Sequence, residues 1–149
     1  MYKRILIPTD GSKCSEHAIK HGLPLAKAMD AEITFLYIIE NMPSILSAEA
    51  YSYASYAEQL LEDLRKSGRE SLDKGLALAA DAGVTATTKL EELSHPVDSI
   101  SEYAKKHDLI IMASHARQGI SRIFLGSVTE GVLRHSSTPL LVVRCPPSE

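Results

Sequence analysis

Short apolar runs rich in β-branched residues recur along the chain and constrain its fold more than any other feature. Four of them are RILIPT (4–9), EITFLYII (32–39), DLIIMAS (108–114) and PLLVVR (139–144). Continuous apolar runs of this length are typical of strands buried on both faces, as in a parallel sheet covered by helices. A fifth segment, VTATTKLEEL (84–93), is more polar and rich in threonine, so it predicts a strand near a sheet edge.

Helical patterns lie between these strands. Apolar or small residues recur at the i, i+3, i+4, i+7 spacing of a buried helix face. The four sets are Ile19, Gly22, Leu23 and Ala26; Leu61, Leu64, Leu72 and Ala79; Val97, Ile100 and Ala104; and Ile120, Phe124 and Val128. Pro96 suits the first turn of the third helix, whereas Gly68 and Gly75 weaken the second.

The order of these elements, β-α-β-α-β-α-β-α-β, predicts the α/β class, with one open parallel sheet and helices on both of its faces. No internal repeat or linker divides the chain, so we expect one domain over residues 1–149. One long irregular stretch, NMPSILSAEAYSYASY, runs from Asn41 to about Tyr56. It is either a partner-facing excursion or the frayed start of the second helix.

Length, composition and charge exclude several classes of protein. The 149 residues, 44% of them hydrophobic and 23% charged, are typical of a globular domain with a core of ordinary size. A net charge of -3 argues against a broad nucleic-acid or anionic-membrane surface. No apolar run approaches the ~20 residues of a membrane span, and MYKRILIPTD passes into a strand pattern rather than a signal peptide. We therefore expect a cytoplasmic protein.

The two cysteines, Cys14 and Cys145, make no metal-binding spacing and predict no disulfide framework. Cys14 is either an inert cysteine or, if it lies at a helix N-terminus, a reactive thiol.

Polar residues follow the first and fourth strands, where an open α/β sheet binds its ligands. Strand 1 ends in PTDGS and strand 4 in MASHA. Asp10 and Ser12 can simply organise the start of the first helix, because both are good capping residues. Alternatively, Asp10 accepts hydrogen bonds from a ligand, such as a ribose hydroxyl.

A second candidate is the segment Gly126-Ser127-Val128-Thr129. N–H groups at a turn or a helix N-terminus can hold phosphate, glycine lets the backbone approach closely, and the two hydroxyls add donors. The alternative is that Gly126 and Ser127 only allow tight helix packing.

Several other kinds of site are absent from the sequence. There is no G-x-x-x-x-G-K-[ST] loop and no G-x-G-x-x-G after strand 1, which excludes Walker-type and ordinary dinucleotide sites. The six histidines lack zincin spacing, no G-x-S-x-G elbow occurs, and no motif assembles a carboxylate cage for Mg²⁺. We therefore expect no dedicated catalysis.

The segments YKRILIPTDGS (2–12) and IIMASHARQGISRIFLGSVTEGVLRHSSTPLLVVR (110–144), with the helices between them, resemble the universal stress protein family along the whole chain. Nucleotide-binding members of that family carry glycine, two residues, glycine, nine residues, and then glycine followed by serine or threonine. In this register Ala113 and Ala116 stand at the leading glycines, and nine residues separate Ala116 from Gly126-Ser127.

The resemblance implies a Rossmann-like, five-stranded sheet of order 3-2-1-4-5, similar to that of adenine nucleotide alpha hydrolases. It implies a stress-response regulatory or interaction protein that binds an adenine nucleotide between the ends of strands 1 and 4. The expected ligand is ATP, with AMP or ADP as alternatives, with or without Mg²⁺, and with at most slow hydrolysis. The strongly apolar last strand lies on a sheet edge in this order, so we expect a homodimer through Leu140, Leu141, Val142 and Val143.

The resemblance also implies which residues meet the nucleotide. Pro8 and Asp10 would lie by the ribose and the base, and the backbone around Ile38 would meet the adenine. The loop from 113 to 119 and the segment from 126 to 129 would wrap the phosphates. The full predicted set is Pro8, Thr9, Asp10, Ile38, Met112, Ala113, Ser114, His115, Ala116, Arg117, Gly119, Gly126, Ser127, Val128 and Thr129.

A nucleotide-free dimeric interaction module of the same fold is the alternative to a nucleotide-binding protein. A phosphoacceptor receiver domain is excluded, because it needs an aspartate at the end of strand 3 and a lysine at the end of strand 5. The chain has EELSHP and VVRCPP at those places.

Overall fold

The computed structural model of the protein describes residues 1–41, 54–114 and 125–146. Strands and helices alternate in these ranges: β1 (Arg4–Pro8), α1 (Lys13–Met29), β2 (Glu32–Glu40), α2 (Ala54–Ala82), β3 (Ala86–Ser94), α3 (Pro96–Ala104), β4 (Leu109–Ser114), α4 (Ser127–His135) and β5 (Leu140–Arg144). Most of the irregular stretch from Asn41 to Tyr56 lies outside the described residues. No helix in the described ranges is both long enough and apolar enough to span a membrane.

The strands form one five-stranded parallel sheet of order β3-β2-β1-β4-β5. Ile5 of β1 is in register with Ile33 of β2 on one side and with Leu109 of β4 on the other. The predicted fold class and strand order are therefore confirmed. The polar strand β3 lies at one edge, as its threonine-rich sequence predicts, and β5 lies at the other.

The alternation of side chains along the strands divides the apolar residues between two cores. Ile5 and Ile7 of β1 belong to the cluster that packs against α1 and α2, whereas Leu6 belongs to the cluster formed with α3 and α4. All three side chains are 0% exposed. Burial on both faces is the physical reason why β1 has a continuous apolar run rather than an alternating one.

Glycines let α1 and α2 pack closely on the sheet. The predicted buried face of α1 is confirmed, and a Cβ at Gly22 would lie 2.7 Å from Cδ1 of Ile7. α2 continues without a break through Gly75, where a Cβ would lie 3.1 Å from the ring of Phe35. The close contact offsets the low helix propensity of glycine, so the expected weakening does not interrupt the helix.

The helix predicted from Ile120, Phe124 and Val128 is confirmed at Val128, which lies in α4. α4 begins only at Ser127, because Gly126 precedes it with φ 77° and ψ 149°. That backbone conformation is essentially restricted to glycine and ends any helix coming from the N-terminal side. Ile120 and Phe124 lie outside the described residues.

The expectation for the cysteines is wrong. Cys14 in the first turn of α1 and Cys145 after β5 form a disulfide, with their Cα atoms 5.3 Å apart and 131 residues between them in the sequence. Two cysteines at the two ends of a chain carry no local spacing signal. Only the packing of α1 against β4 and β5 brings them together.

Candidate functional site

A cleft of about 730 Å³ opens at the carboxyl ends of β1 and β4. These neighbouring strands lead to α1 and α4, which pack on opposite faces of the sheet, so the crevice lies where the winding reverses. Its volume is that of a small-molecule site, roughly 300–1,000 Å³. The lining residues are Pro8, Thr9, Asp10, Ser15, Leu36, Ile38, Glu40, Pro96, Ile100, Met112, Ala113, Leu125, Gly126, Ser127, Val128 and Thr129.

The fold brings most of the predicted site residues together in this cleft. Those that line it are Pro8, Thr9, Asp10, Ile38, Met112, Ala113, Gly126, Ser127, Val128 and Thr129. Ser114 does not line the cleft; it is a buried residue at the end of β4. His115, Ala116, Arg117 and Gly119 lie outside the described residues.

Sequence reasoning missed several lining residues that periodicity could have found. Leu36, Ile38 and Glu40 alternate along β2, so one of them in the site places the others on the same face. Pro96 and Ile100 are four residues apart on α3 and therefore share a helix face. The remaining two, Ser15 and Leu125, carry no such signal.

One part of the cleft is apolar. Ile38 and Pro96 are partly exposed there, and the other apolar side chains at this place, Leu36, Ile100 and Met112, are almost fully buried. A flat aromatic ring between β2 and α3 would remove more apolar surface from water at this place. This apolar part of the cleft can therefore hold a planar base.

The N-terminus of α1 reaches the cleft with a side-chain cap in place. Oγ of Ser12 accepts from the N–H of Ser15 at 3.1 Å, and Oδ1 of Asp10 accepts from the N–H of Ser12 at 2.9 Å. The hydroxyl of Ser15 donates to the carbonyl of Ser12 at 2.9 Å and lies 3.0 Å from Oγ1 of Thr9. The polar groups at this helix start mainly satisfy one another.

The N-terminus of α4 is different. Gly126 is its N-cap, and no side chain of the described residues caps it. The first N–H groups of a helix have no acceptor within the helix, and those of Ser127 and Val128 have no side-chain acceptor among the described residues. A Cβ built at Gly126 would have no atom within 4 Å, which means that this side of the residue faces open space.

The hydroxyl of Thr129 is engaged inside the protein. Its Oγ1 donates to the carbonyl of Ala113 at 3.3 Å, and the residue is 4% exposed. This contact ties the first turn of α4 to the last part of β4. The hydroxyl of Ser127 has no such contact among the described residues.

Ala113 occupies an ordinary strand position. It is paired with Val143 in the ladder between β4 and β5. Among the described residues, Asp30 and Leu93 are the only non-glycine residues with a positive φ. The conformational freedom of glycine is therefore not required at Ala113.

The charged groups near the cleft are mainly acidic in the described part of the chain. Asp10 and Glu40 line the cleft, and no lysine or arginine of the described residues does so. In the first turn of α1, hydrogen bonds from Lys20 and Lys74 lower the pKa of Glu16 to about 2. The described residues contain no group of three or more His, Cys, Asp or Glu that could hold a metal ion. An anion in this cleft would depend on N–H groups and on the helix dipole.

Known proteins share both the sequence and this architecture. The universal stress protein family model matches residues 1–144. Universal stress protein MJ0531 of Methanocaldococcus jannaschii is 40% identical over 152 residues, which cover 100% of this chain and 86% of that protein.

Solved structures are similar as well. The structure of MJ0577 from the same organism, studied for the assignment of its biochemical function from structure, is 30% identical with a TM-score of 0.78, and 99% of each chain is covered. A universal stress protein in complex with cAMP is 27% identical with a TM-score of 0.70, covering 95% of this chain and 97% of that one. The chain therefore belongs to the universal stress protein family.

Proposed function

We propose that the protein binds an adenine nucleotide in the cleft between β1 and β4 and acts as a stress-response regulatory or interaction protein. The observation that carries the proposal is the N-terminus of α4, which opens into the cleft with no described side chain as a cap. The family member in complex with cAMP supports an adenine nucleotide as the ligand class. ATP is the first candidate, with AMP or ADP as alternatives.

In this proposal the phosphates bind against the first turn of α4. The N–H groups of Ser127 and Val128 and the hydroxyl of Ser127 donate to phosphate oxygens, and the positive end of the helix dipole adds to their effect. Gly126 supports this arrangement, because the space that its Cβ would enter is open. Thr129 contributes through its backbone, since its hydroxyl donates to Ala113.

The base and the ribose bind at the other part of the cleft. The adenine packs against the apolar wall formed by Ile38, Pro96 and Met112, and the backbone around Ile38 meets its polar edge. Asp10 at the end of β1 accepts hydrogen bonds from the ribose hydroxyls. A carboxylate near the ribose also favours a nucleotide over a free phosphate group.

Binding without rapid turnover is the function that this geometry favours. In the described part of the cleft, the hydroxyls of Thr9 and Ser15 contact each other and the helix start, and neither is hydrogen-bonded to Glu40. No cluster of described residues could hold a metal, so Mg²⁺ would enter with the phosphates. At most slow hydrolysis of ATP is expected.

The test is nucleotide analysis of protein denatured directly after purification, followed by calorimetry with ATP, AMP and cAMP. Recovered adenine nucleotide, and binding to the protein emptied of it, is the expected result. A folded protein that yields no nucleotide and binds none of the three would instead be the nucleotide-free interaction module.

We also propose a homodimer through β5. This strand lies at a sheet edge and pairs with β4 alone, and Leu141 on it is 39% exposed. An apolar edge with unpaired N–H and C=O groups favours pairing with a second copy along 140–143. Light scattering should give the mass of two chains, and a monomer at tens of micromolar protein would contradict the proposal.

A further inference from the structure

We infer that Cys14 and Cys145 are a reversible dithiol–disulfide pair that hydroperoxides oxidise, and that the disulfide raises the nucleotide affinity of the cleft beside it. The effect on affinity rests on the proposed nucleotide function, whereas the oxidation of the pair does not.

The backbone geometry allows the bond to form and to break in place. The Cα atoms of the two residues are 5.3 Å apart, within the range of roughly 4.4–6.8 Å that disulfides span. Cys14 is 4% exposed, and Cys145 is half-buried. A small oxidant therefore meets Cys145 first, and the buried Cys14 acts as the resolving cysteine.

Both cysteines contact the end of β4. The N–H of Cys145 donates to the carbonyl of Ser114 at 3.3 Å, and Sγ of Cys14 lies 3.6 Å from the same oxygen. A reduced Cys14 thiol can donate to that carbonyl, so the reduced pair also has a hydrogen-bond partner in this packing. The site is thus compatible with both oxidation states.

The oxidation balances with a hydroperoxide as the two-electron acceptor. The Cys145 thiolate attacks the terminal peroxide oxygen and the O–O bond breaks; the leaving hydroxide, or alkoxide from an organic hydroperoxide, takes up a proton and departs as water or alcohol. The sulfur of Cys14 then attacks the sulfenic sulfur of Cys145; the S–O bond breaks, the S–S bond forms, and water leaves with the thiol proton. A dithiol reverses the reaction by thiol–disulfide exchange.

The two cysteines lie next to residues that line the cleft. Ser15, the residue after Cys14, lines the cleft and contacts Thr9. Ala113, the residue before Ser114, lines it as well and accepts the hydrogen bond of Thr129. The disulfide therefore links the first turn of α1 to the end of β5, next to residues that line the proposed site.

This link should preorganise the site. In the reduced protein the end of β5 is held by its hydrogen bonds to β4 and not by a covalent link. Nucleotide binding then has to immobilise more of the residues that line the cleft beside the two cysteines. Ordering a few side chains lowers affinity about three- to tenfold. Because the bond joins the two ends of the chain, it should also raise the Tm by roughly 5–15 °C.

The oxidation is tested on the full chain by counting thiols after denaturation. Protein reduced with dithiothreitol should show two reactive thiols. After treatment with hydrogen peroxide it should show none, with a monomeric chain about 2 Da lighter and a second addition of dithiothreitol restoring both. Cys14→Ser and Cys145→Ser are matched controls that cannot form the internal bond. Thiols that persist after peroxide treatment would contradict the proposal that the two cysteines form a reversible internal disulfide. Products that are only disulfide-linked dimers or sulfinic acid would contradict it as well.

The coupling is tested by calorimetry with ATP on the oxidised and reduced wild type. Affinity should be three- to tenfold higher after oxidation, and the same treatments should leave the affinity of Cys14→Ser unchanged. Equal affinities of the two wild-type forms would overturn the coupling. Absent ATP binding in both forms, with normal thiol counts, would contradict the proposed function and the coupling while leaving the oxidation of the pair intact.

Discussion

Two helices begin at the same cleft, and their N-termini are built in opposite ways. At α1, Ser12 caps the N–H of Ser15, and Asp10 accepts from the N–H of Ser12. At α4, Gly126 stands in the N-cap position, and no side chain of the described residues replaces the missing cap. The N–H of Ser15 in the first turn of α1 has a side-chain acceptor, whereas the first turn of α4 has none among the described residues.

This difference between the two helix N-termini predicts where an anion should bind. A helix N-terminus attracts anions because its N–H groups lack partners and because of the helix dipole. α1 already uses the side chain of Ser12 as its cap, whereas α4 has no side-chain cap among the described residues. Each helix has an acidic residue in its first turn, and both are paired: Glu16 with Lys20 and Lys74, and Glu130 with Arg134. We therefore expect the phosphates at α4 and the ribose near α1.

The largest effect should come from Gly126→Val. A side chain there enters the open space beside the α4 N-terminus and strains a backbone with φ 77° and ψ 149°. ATP affinity should fall about 100-fold or more, which corresponds to about 2.7 kcal/mol or more by calorimetry. Unchanged ATP binding by the folded variant would mean that this segment only connects a strand to a helix.

Gly83→Val is the matched control for the backbone strain. Gly83 has φ +69°, and a Cβ there would meet only Nζ of Lys27, at 3.9 Å. It follows α2 and lies away from the residues that line the cleft. Both variants should lose roughly 1–3 kcal/mol of stability, and only Gly126→Val should lose affinity.

A crossed pair of serine variants compares the two N-termini directly. Ser12→Ala removes the cap of α1 and should lower the free energy of unfolding by about 1 kcal/mol, with ATP affinity changed less than about twofold. Ser127→Ala removes a donor at α4 and should lower ATP affinity about five- to tenfold with little change in stability. Urea unfolding measures the stability of each variant, and calorimetry measures its affinity for ATP. The reverse pattern would place the anion at α1.

The smallest effect concerns the pH dependence of α1. Because hydrogen bonds from Lys20 and Lys74 lower the pKa of Glu16 from 4.5 to about 2, its stabilising contribution is fully present above pH 4.5. It is lost as the pH falls from 4.5 to 2. Glu16→Gln should therefore lower stability near neutral pH by up to about 1 kcal/mol, and less at high salt.

Urea titrations of wild type and Glu16→Gln at several pH values check this. The difference in unfolding free energy should shrink to nothing between pH 4.5 and pH 2. A constant difference over that range would show that the carboxylate charge of Glu16 has no stabilising role. ATP affinity at neutral pH should stay the same, since Glu16 does not line the cleft.

The sequence was sufficient for the sheet and for much of the cleft. Apolar runs such as the one in β1 predicted doubly buried strands, and polar residues such as Asp10 marked the ends where the cleft opens. The resemblance to a family added the strand order. These features are local in sequence, or follow from strand alternation and right-handed crossovers.

Other features could not be predicted, because they depend on contacts between distant parts of the chain. The start of α4 at Ser127 could not be predicted, since an apolar spacing of i, i+4 does not reveal the backbone conformation of Gly126. Ser15 and Leu125 were missed because no periodicity in the sequence places them beside the cleft. Ala113 stands at a leading glycine of the family motif, yet the ladder with β5 holds that residue in an ordinary strand.

The sequence by itself determined the fold class, because the pattern of burial is recorded in each strand and helix separately. Only the tertiary structure decided that the N-terminus of α4 opens into the cleft, since the cleft forms where β1 and β4 lie side by side. It also decided that Cys14 and Cys145 meet. No local pattern records that contact, because it exists only once α1 and β5 have both packed against β4.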